Sequence, residues 1–222
     1  MDSLSVTLEA FGDTGSRPVL DIGCGGGALV RALARAGLQA VGIDPSGAAV
    51  AEAARRAPAA RVCVAAAERL PFPDGSFAGA VFLNSLHHIG PMEEALRSAA
   101  RVVGRGGPVV VVEPLTQGSF FRAFLAIEDE TAVRDAAQQA IAAVVAEGVF
   151  ALRRSLEWDR SDPFAGIEQF LERAAAADQS RDRVIRERRA EIERAFAAEA
   201  VRTPEGAYVL IQPLRAHILA VA

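Results

Sequence analysis

Residues 19–27, Val-Leu-Asp-Ile-Gly-Cys-Gly-Gly-Gly, decide the fold. This apolar segment runs straight into a glycine-rich turn, where glycine permits backbone angles that a Cβ atom forbids and lets the chain approach a ligand closely. About 20 residues later Asp44 ends the next apolar run, where a carboxylate can accept hydrogen bonds from both hydroxyls of a ribose. The pattern predicts a nucleoside-cofactor site. Gly23, Gly25 and Ala28 also satisfy the looser dinucleotide fingerprint, so the turn alone leaves the cofactor open.

The composition of the 222-residue chain predicts one globular domain with, at most, a substantial elaboration. A formal net charge of −4 provides no broad basic surface, so no nucleic-acid partner is expected. Cys24 and Cys63 lie in different elements, and two cysteines predict neither a disulfide framework nor a metal site. Residues 1–17 lack the pattern of a signal peptide, and no run approaches the roughly 18 apolar residues of a membrane span. We therefore expect a cytoplasmic protein without a membrane partner.

The first half of the chain alternates between apolar segments and helical patterns. Strands are predicted at 18–22, 40–44, 61–65, 78–84 and 108–113, and helices at 28–36, 46–57 and 92–103. This alternation predicts an α/β fold with a doubly wound, Rossmann-like, mostly parallel sheet. In such sheets ligands bind outside the carboxyl ends of the strands. Residues 21–27, Asp44, 66–68, 84–88 and Glu113 fall at that edge.

The second half has a different pattern. Helices are predicted at 131–147, 164–177 and 181–200, with a sixth strand at 152–159. Residues 208–211 and 216–221 form an extended segment interrupted by Pro213, which suits an edge or a bulge better than a central strand. We expect about seven strands in one domain over 1–222. It divides into a cofactor-binding core (17–114), a helical cover (115–200) and a C-terminal strand (201–222).

Five segments together resemble class I S-adenosylmethionine-dependent methyltransferases, especially the broad subgroup that includes quinone-biosynthesis methyltransferases. They are the opening stretch at 19–27, Gly-Ile-Asp-Pro-Ser at 42–46, Ala-Glu-Arg-Leu-Pro-Phe-Pro-Asp-Gly-Ser-Phe at 67–77, Leu-His-His-Ile at 86–89 and Arg-Val-Val-Gly-Arg-Gly-Gly-Pro at 101–108. The resemblance covers roughly residues 17–114 and implies the fold and its cofactor, S-adenosylmethionine, with S-adenosylhomocysteine as product. It says little about the acceptor.

The resemblance implies a role for each matching residue. Asp21 would hold the methionine ammonium, Asp44 the ribose hydroxyls and Asn84 the flank of the methionine. A helix N-terminal charge is the structural alternative for Asp44. The full set of implied cofactor residues is Asp21, Gly23, Cys24, Gly25, Gly27, Asp44, Pro45, Ala66, Ala67, Glu68, Asn84 and His88.

Two residues depart from the family pattern. Ala66 stands where an acidic residue usually contacts the adenine amino group, and Ala78 stands where an Asp commonly begins the fourth strand. Losing the adenine contact should weaken cofactor binding by about 0.5–1.5 kcal/mol, the net contribution of one hydrogen bond.

Methyl transfer from a sulfonium depends mainly on aligning the acceptor and excluding water, and a general base is optional. His87, His88 and Glu113 are the candidate catalytic residues, since His titrates near neutral pH. Each has a structural alternative. One of two adjacent histidines would pack or hydrogen-bond within the fold, and Glu113 would cap a neighbouring element.

The helices of 115–148 and 164–200 are expected to form a cover over the site. Aromatic residues within and between them would line an apolar acceptor pocket: Phe120, Phe121, Phe124, Trp158 and Phe164. An ordinary core or a homodimer contact is an equally good interpretation of these side chains.

Three function classes remain. The leading one is a methyltransferase acting on O, N or C of a small-molecule acceptor. The second is a protein that binds S-adenosylmethionine without transferring its methyl group. The third, an NAD(P)-dependent oxidoreductase, is disfavoured by the Leu-Pro-Phe-Pro-Asp loop at 70–74 and by the absence of a Tyr-x-x-x-Lys dyad.

Overall fold

The computed structural model describes residues 1–178 and 180–222. The strands are β1 (Val19–Ile22), β2 (Ala40–Asp44), β3 (Arg61–Val64), β4 (Gly79–Leu83), β5 (Pro108–Pro114), β6 (Phe150–Phe164), β7 (Val201–Arg202) and β8 (Tyr208–Val221). The helices are α1 (Ser3–Phe11), α2 (Ala28–Arg35), α3 (Gly47–Arg56), α4 (Met92–Val103), α5 (Gly118–Phe124), α6 (Thr131–Ala146), α7 (Ile167–Ala177), α8 (Arg181–Glu187) and α9 (Arg189–Glu199).

The strands form one sheet in the order β3-β2-β1-β4-β5-β8-β6, with the two-residue β7 paired to β8. The pairs β1–β2, β1–β4, β2–β3 and β4–β5 are all parallel. Val221, at the end of β8, exchanges backbone hydrogen bonds with Gly106 and Gly107, just before β5, so β8 runs antiparallel to β5. The predicted α/β class, with a mostly parallel sheet of about seven strands, is confirmed.

By its internal contacts the chain divides into two compact units. The first comprises Met1–Glu113, Ala136–Glu157 and Arg215–Ala222, and the second comprises Pro114–Asp135 and Trp158–Leu214. The boundaries drawn from the sequence within a single domain therefore stay a prediction. No helix among the described residues is long and apolar enough to cross a membrane.

The core of the first unit forms because its parallel strands are apolar on both faces. All four residues of β1 are buried, and Val109–Val112 of β5 are fully buried. Helices α4 and α6 contribute Leu96, Val102 and Ile141 to the same cluster. The carboxyl ends of these rigid strands therefore provide fixed positions for polar side chains.

Helix α1 was not predicted from the sequence. Asp2 begins it by accepting a hydrogen bond from the backbone N–H of Ser5 at 2.9 Å, an ordinary N-cap contact. Phe11 at its other end lies against β4, where a Cβ atom on Gly79 would come within 2.7 Å of the ring. The absence of a side chain at position 79 thus makes room for this helix.

The second unit has an aromatic core of its own. Phe164 and Phe170 meet edge-on with ring centroids 5.6 Å apart, and Phe170 contacts Phe196 at 5.4 Å. Phe124 belongs to the same cluster, and Phe120 packs against it.

Packing inside the second unit accounts for most of the aromatic residues that were candidates for an acceptor pocket. Phe121 is buried, with the guanidinium carbon of Arg134 4.8 Å from its ring centroid. Trp158 is half-buried. Packing in an ordinary core therefore explains the positions of four rings without any acceptor: Phe120, Phe121, Phe124 and Phe164. Their lining of a pocket stays a prediction.

The expectation that Pro213 lies at an edge or a bulge is wrong, because β8 is continuous and lies between β5 and β6. The Pro213 carbonyl accepts from the Leu115 N–H at 2.9 Å, but proline has no N–H to return to the Leu115 carbonyl. The side-chain amide of Gln212 donates to that carbonyl at 3.0 Å instead. Arg134 donates to it as well, at 3.1 Å. Side chains thus satisfy the acceptor that a proline leaves unpaired.

The single helix predicted over 181–200 is also wrong, since α8 and α9 are separate. The N–H of Arg188 bonds to the Val184 carbonyl and closes α8, while the Arg188 carbonyl accepts from Glu191 and begins α9. The alternating charges of this segment fit either arrangement, so the sequence pattern did not reveal the break.

Candidate functional site at the carboxyl edge of the sheet

Two buried oxygens at neighbouring strand ends have no hydrogen-bond partner among the described residues. They are Oδ2 of Asp21, in β1, and Oδ1 of Asn84, directly after β4. Asn84 has a positive φ of 51°, a conformation that Asn tolerates better than most residues. Because buried polar atoms are nearly always paired, two orphaned acceptors at one sheet edge indicate a ligand that donates hydrogen bonds there.

Burial raises the pKa of Asp21 to about 7. A backbone hydrogen bond from Val30 lowers the pKa in part, and the nearby Asp44 carboxylate raises it further. A cationic group placed at the unpaired oxygen would favour the ionised form. The site therefore suits a ligand with a positively charged donor.

The glycines of the turn after β1 serve different purposes. A Cβ atom on Gly23 would lie 2.6 Å from Cβ of Ser85, and one on Gly27 would lie 2.8 Å from Cβ of Ala53 in α3. These two positions are glycine because protein atoms occupy the space. Gly25, with φ of 49°, has nothing within 4 Å of its missing Cβ. Its open face is the place where a ligand can pass over the backbone.

Cys24 packs behind the turn. A Cβ atom on Gly42 of β2 would meet its Sγ atom at 2.9 Å, so the thiol fills the space over that strand. Burial, together with the carboxylates of Asp21 and Asp44, raises the pKa of Cys24 to about 12. The thiol is therefore inert, since the thiolate is the reactive form.

Asp44 at the end of β2 ties the turn to the next helix. Its Oδ2 accepts from the Gly25 N–H at 3.0 Å and its Oδ1 from the Ser46 N–H at 2.9 Å. Each carboxylate oxygen can accept further hydrogen bonds. The side chain is half-buried, so a ligand can reach the remaining lone pairs.

A pocket of about 230 Å³ opens at the same edge. Six residues predicted from the sequence to contact the cofactor lie in its wall: Gly23, Pro45, Ala66, Ala67, Glu68 and His88. Ile43, Ala65, Ile89, Gly90 and Pro91 complete the lining. The wall is mostly apolar, as expected for the flat face of a base. Residues 89–91 were not among the predicted cofactor contacts, although they directly follow the histidine pair.

The turn after β4 is held by Glu113 of β5, which is fully buried. Its Oε1 accepts from the backbone N–H groups of Ser85 at 3.1 Å and Leu86 at 2.9 Å. Its Oε2 bonds to Nδ1 of His87, which is also buried. His88 is exposed, its ring centroid lies 4.0 Å from that of His87, and it lines the pocket. Of the three candidate catalytic residues, only His88 faces open space.

Ser85 belongs to the segment 84–88 that the sequence places at this edge, but no role was predicted for it. Its hydroxyl donates to the Ile22 carbonyl at 2.7 Å, joining the ends of β1 and β4. No sequence pattern marks this contact, because the two residues are far apart in the chain.

Residues 20–111 match the sequence family described as a methyltransferase domain. This segment is therefore similar to a methyltransferase domain. The match confirms the resemblance drawn from the motifs. The matched segment includes the strand ends that carry Asp21, Asp44, residues 65–68 and Asn84, and it contains every residue that lines the pocket.

A curated relative is the demethylmenaquinone methyltransferase of Beutenbergia cavernae, 37% identical over 107 residues. The match covers 48% of this chain and 45% of the relative, so the chain spans less than half the length of that protein. Among solved structures, a putative methyltransferase from Bacillus halodurans is 18% identical, with a TM-score of 0.67 and 98% of each chain covered. Geranyl diphosphate C-methyltransferase from Streptomyces coelicolor, solved with Mg²⁺, geranyl diphosphate and S-adenosylhomocysteine, is also 18% identical. Its TM-score is 0.57, with 96% of this chain and 77% of that chain covered. At 18% identity, these two structures show that the chain has the fold of class I methyltransferases, and no more than the fold.

Proposed function

We propose that the chain is an S-adenosylmethionine-dependent methyltransferase that acts on a small-molecule acceptor. The unpaired oxygens of Asp21 and Asn84 carry the proposal, because they require a hydrogen-bond donor at the edge where the methyltransferase domain has its pocket. The ammonium group of S-adenosylmethionine is such a donor, and its positive charge suits a carboxylate whose pKa burial has raised to about 7.

The residues at the edge fit the rest of the cofactor. Asp44 binds the ribose hydroxyls with the lone pairs that Gly25 and Ser46 leave free. The open face of Gly25 lets the chain pass under the methionine portion. Pro45, Ala66, Ala67 and Glu68 border the adenine.

Bound S-adenosylmethionine supplies a methyl group already activated by its positively charged sulfur. The chain's own contribution is to bind, orient and desolvate the reactants. His88 lines the pocket and is the residue that we assign to contact the cofactor or acceptor. Glu113 and His87 act as positioning residues, because Glu113 bonds to the backbone of the turn and to Nδ1 of His87, and both side chains are buried.

The acceptor is proposed as a small molecule because one similar protein is a demethylmenaquinone methyltransferase and a structural neighbour is a geranyl diphosphate C-methyltransferase. Methylation of the acceptor on O, N or C stays a prediction. Formation of a homodimer and a cytoplasmic location are also predictions.

A second candidate function is binding of S-adenosylmethionine without methyl transfer. One observation favours it. Ala66 lies in the pocket wall and offers no carboxylate to an adenine amino group. The backbone of residues 65–68 can still recognise adenine, so this candidate ranks below the first.

The test is calorimetric titration with S-adenosylhomocysteine and, separately, with NAD⁺. We expect saturable binding of S-adenosylhomocysteine and none of NAD⁺. Asp13 is exposed, so the variant Asp13→Asn should bind S-adenosylhomocysteine as the wild type does. It is the control for Asp→Asn changes at the site. Binding of NAD⁺ alone would refute the proposal. Release of S-adenosylhomocysteine with quinone-like and prenyl acceptors then separates transfer from binding alone.

A further inference from the structure

The second half of β6, within the second unit, presents a polar face between two aromatic residues. Residues 158, 160, 162 and 164 point to the more buried side, while 157, 159, 161 and 163 are exposed. Asp162 is 6% exposed and Arg160 is half-buried. Burying charged groups is costly, so their partners decide what this face can do.

The Asp162 carboxylate is shared by two guanidinium groups. Arg160 donates from Nε to Oδ2 at 3.0 Å, and Arg173 of α7 donates from Nη1 to Oδ1 at 2.9 Å. We call these three residues the Arg160–Asp162–Arg173 cluster. Two positive charges against one negative leave a surplus of one positive charge. One arginine would have sufficed to neutralise the aspartate.

Aromatic rings hold the surplus charge in place. The guanidinium carbon of Arg173 lies 5.4 Å from the ring centroid of Phe120 and 5.7 Å from that of Phe164. These contacts preorganise the guanidinium group. The side chains of Arg160 and Arg173 are nevertheless 30% and 45% exposed, so a ligand can reach them.

Arg160 also interacts with Arg134, which belongs to a second charged group of this unit. Burial lowers the pKa of Arg160, and repulsion from Arg173 and Arg134 lowers it further, while Asp162 opposes both. Arg134 pairs with Glu130, which also pairs with Arg181.

Arg181 has Glu128 as a second partner. The group formed by Arg134, Arg181, Glu128 and Glu130 is therefore balanced.

We propose that the Arg160–Asp162–Arg173 cluster binds an anionic ligand that carries a carboxylate or a phosphate. This anion site does not depend on the proposed methyltransferase function. Guanidinium groups match both oxyanions because their N–H donors form a planar fork. The half-buried ring of Phe120 beside Arg173 suits an apolar body attached to the charged group.

The test uses three small probes that share a phenyl ring: benzoate, phenyl phosphate and the neutral benzamide. Each is titrated into the full chain, with and without saturating S-adenosylhomocysteine, and binding is followed by ligand-observed NMR. We expect saturable binding of at least one anion, no saturable binding of benzamide, and weaker binding at high salt. Comparison of benzoate with phenyl phosphate distinguishes a carboxylate ligand from a phosphate ligand.

The variants Arg160→Gln and Arg173→Gln each leave Asp162 with one arginine, so the fold keeps a paired carboxylate. Each should weaken anion binding at least tenfold and leave S-adenosylhomocysteine affinity unchanged. Arg189→Gln, which removes an exposed arginine paired with Glu168 and Glu193, is the matched control and should bind as the wild type does.

Equal binding of benzamide, no saturable anion binding, or the same affinity in all three variants would overturn the anion site. If S-adenosylhomocysteine fails to bind while an anion still binds, the proposed function falls and the anion site stands. The two failures are therefore distinguishable.

Discussion

The carboxylate of Glu113 and the imidazole of His87 are buried against each other, and the same carboxylate holds the backbone of the turn that carries His88. Three donors thus converge on one side chain at the end of β5. The exposed His88 is thus held at the pocket by the buried pair of Glu113 and His87, and neither member of that pair lines the pocket.

Replacing Glu113 should therefore destabilise the protein. Glu113→Ala leaves two buried N–H groups and His87 without their acceptor, and we expect the free energy of unfolding to fall by about 2–5 kcal/mol. Urea denaturation followed by circular dichroism measures the change. Glu147→Ala removes an exposed carboxylate paired with Arg97 and should cost at most about 1 kcal/mol. Equal stability of the two variants would show that the buried contacts contribute little.

Asp44 is expected to determine cofactor affinity, although its two oxygens also hold the backbone N–H groups of Gly25 and Ser46. Asp44→Asn replaces a charged acceptor by a neutral amide, and we expect the affinity for S-adenosylhomocysteine to fall by about 1.5–3 kcal/mol, which is roughly 10- to 150-fold. Calorimetry on the variant, with Asp13→Asn as control, measures the loss. Wild-type affinity in Asp44→Asn would place the ribose elsewhere.

The raised pKa of Asp21 predicts a pH-dependent stability. An Asp has a pKa of about 3.9 in an unfolded chain, and burial raises that of Asp21 to about 7, so the folded state binds the extra proton between these values. The stability from this group is present below pH 4 and is lost as the pH rises to 7, by on the order of 4 kcal/mol. Unfolding measured from pH 4 to pH 8 should show this loss in the wild type and not in Asp21→Asn.

The same group predicts how ligand binding depends on pH. An ammonium group binds the ionised carboxylate, so the affinity for S-adenosylhomocysteine should rise up to tenfold per pH unit below pH 7 and then level off. Titrations in buffers of different ionisation enthalpy should detect proton release near pH 6. A pH-independent affinity would argue against contact between Asp21 and the ligand.

Gly25 and Gly27 should respond differently to the same substitution. Gly27→Ala forces a Cβ atom to 2.8 Å from Ala53 at positive φ, and we expect a loss of about 2–5 kcal/mol in stability. In Gly25→Ala the new Cβ atom enters open space, so stability should fall only by the cost of a positive φ, about 1–2 kcal/mol. Its affinity for S-adenosylhomocysteine should nevertheless fall at least tenfold. Thermal unfolding and calorimetry on both variants separate packing from ligand contact.

Ala66 offers a test by gain of affinity. Ala66→Asp introduces a carboxylate into the pocket wall, and its hydrogen bond to adenine should tighten S-adenosylhomocysteine binding by about 0.5–1.5 kcal/mol. Val64→Asp is the matched control, because Val64 is 58% exposed and does not line the pocket. If both variants change the affinity for S-adenosylhomocysteine equally, the cause is the added negative charge and not a hydrogen bond, and adenine lies away from residue 66.

Local patterns predicted the parts of the fold that local physics decides. Apolar strands and Pro or Gly punctuation gave β2 and α4 with their observed bounds, Ala40–Asp44 and Met92–Val103. The motifs also located the residues that line the pocket, such as Ala66 and His88.

Contacts between distant residues could not be predicted in this way. The bond from Glu113 to His87 joins residues 26 apart, and nothing in either neighbourhood indicates it. The glycines at 23, 25 and 27 look equivalent in sequence, yet only the neighbouring side chains of Ser85 and Ala53 show which one faces open space. Arg160 and Arg173 likewise become a cluster only through the strand and helix that bring them to Asp162.

The side-chain amide of Gln212 has an evolutionary consequence. It donates to the Leu115 carbonyl in place of the N–H that Pro213 lacks. A relative with an ordinary residue at position 213 would supply that N–H from its backbone and would no longer need the amide. The two positions should therefore covary, with proline tolerated in this interior strand only beside a donor of glutamine's reach.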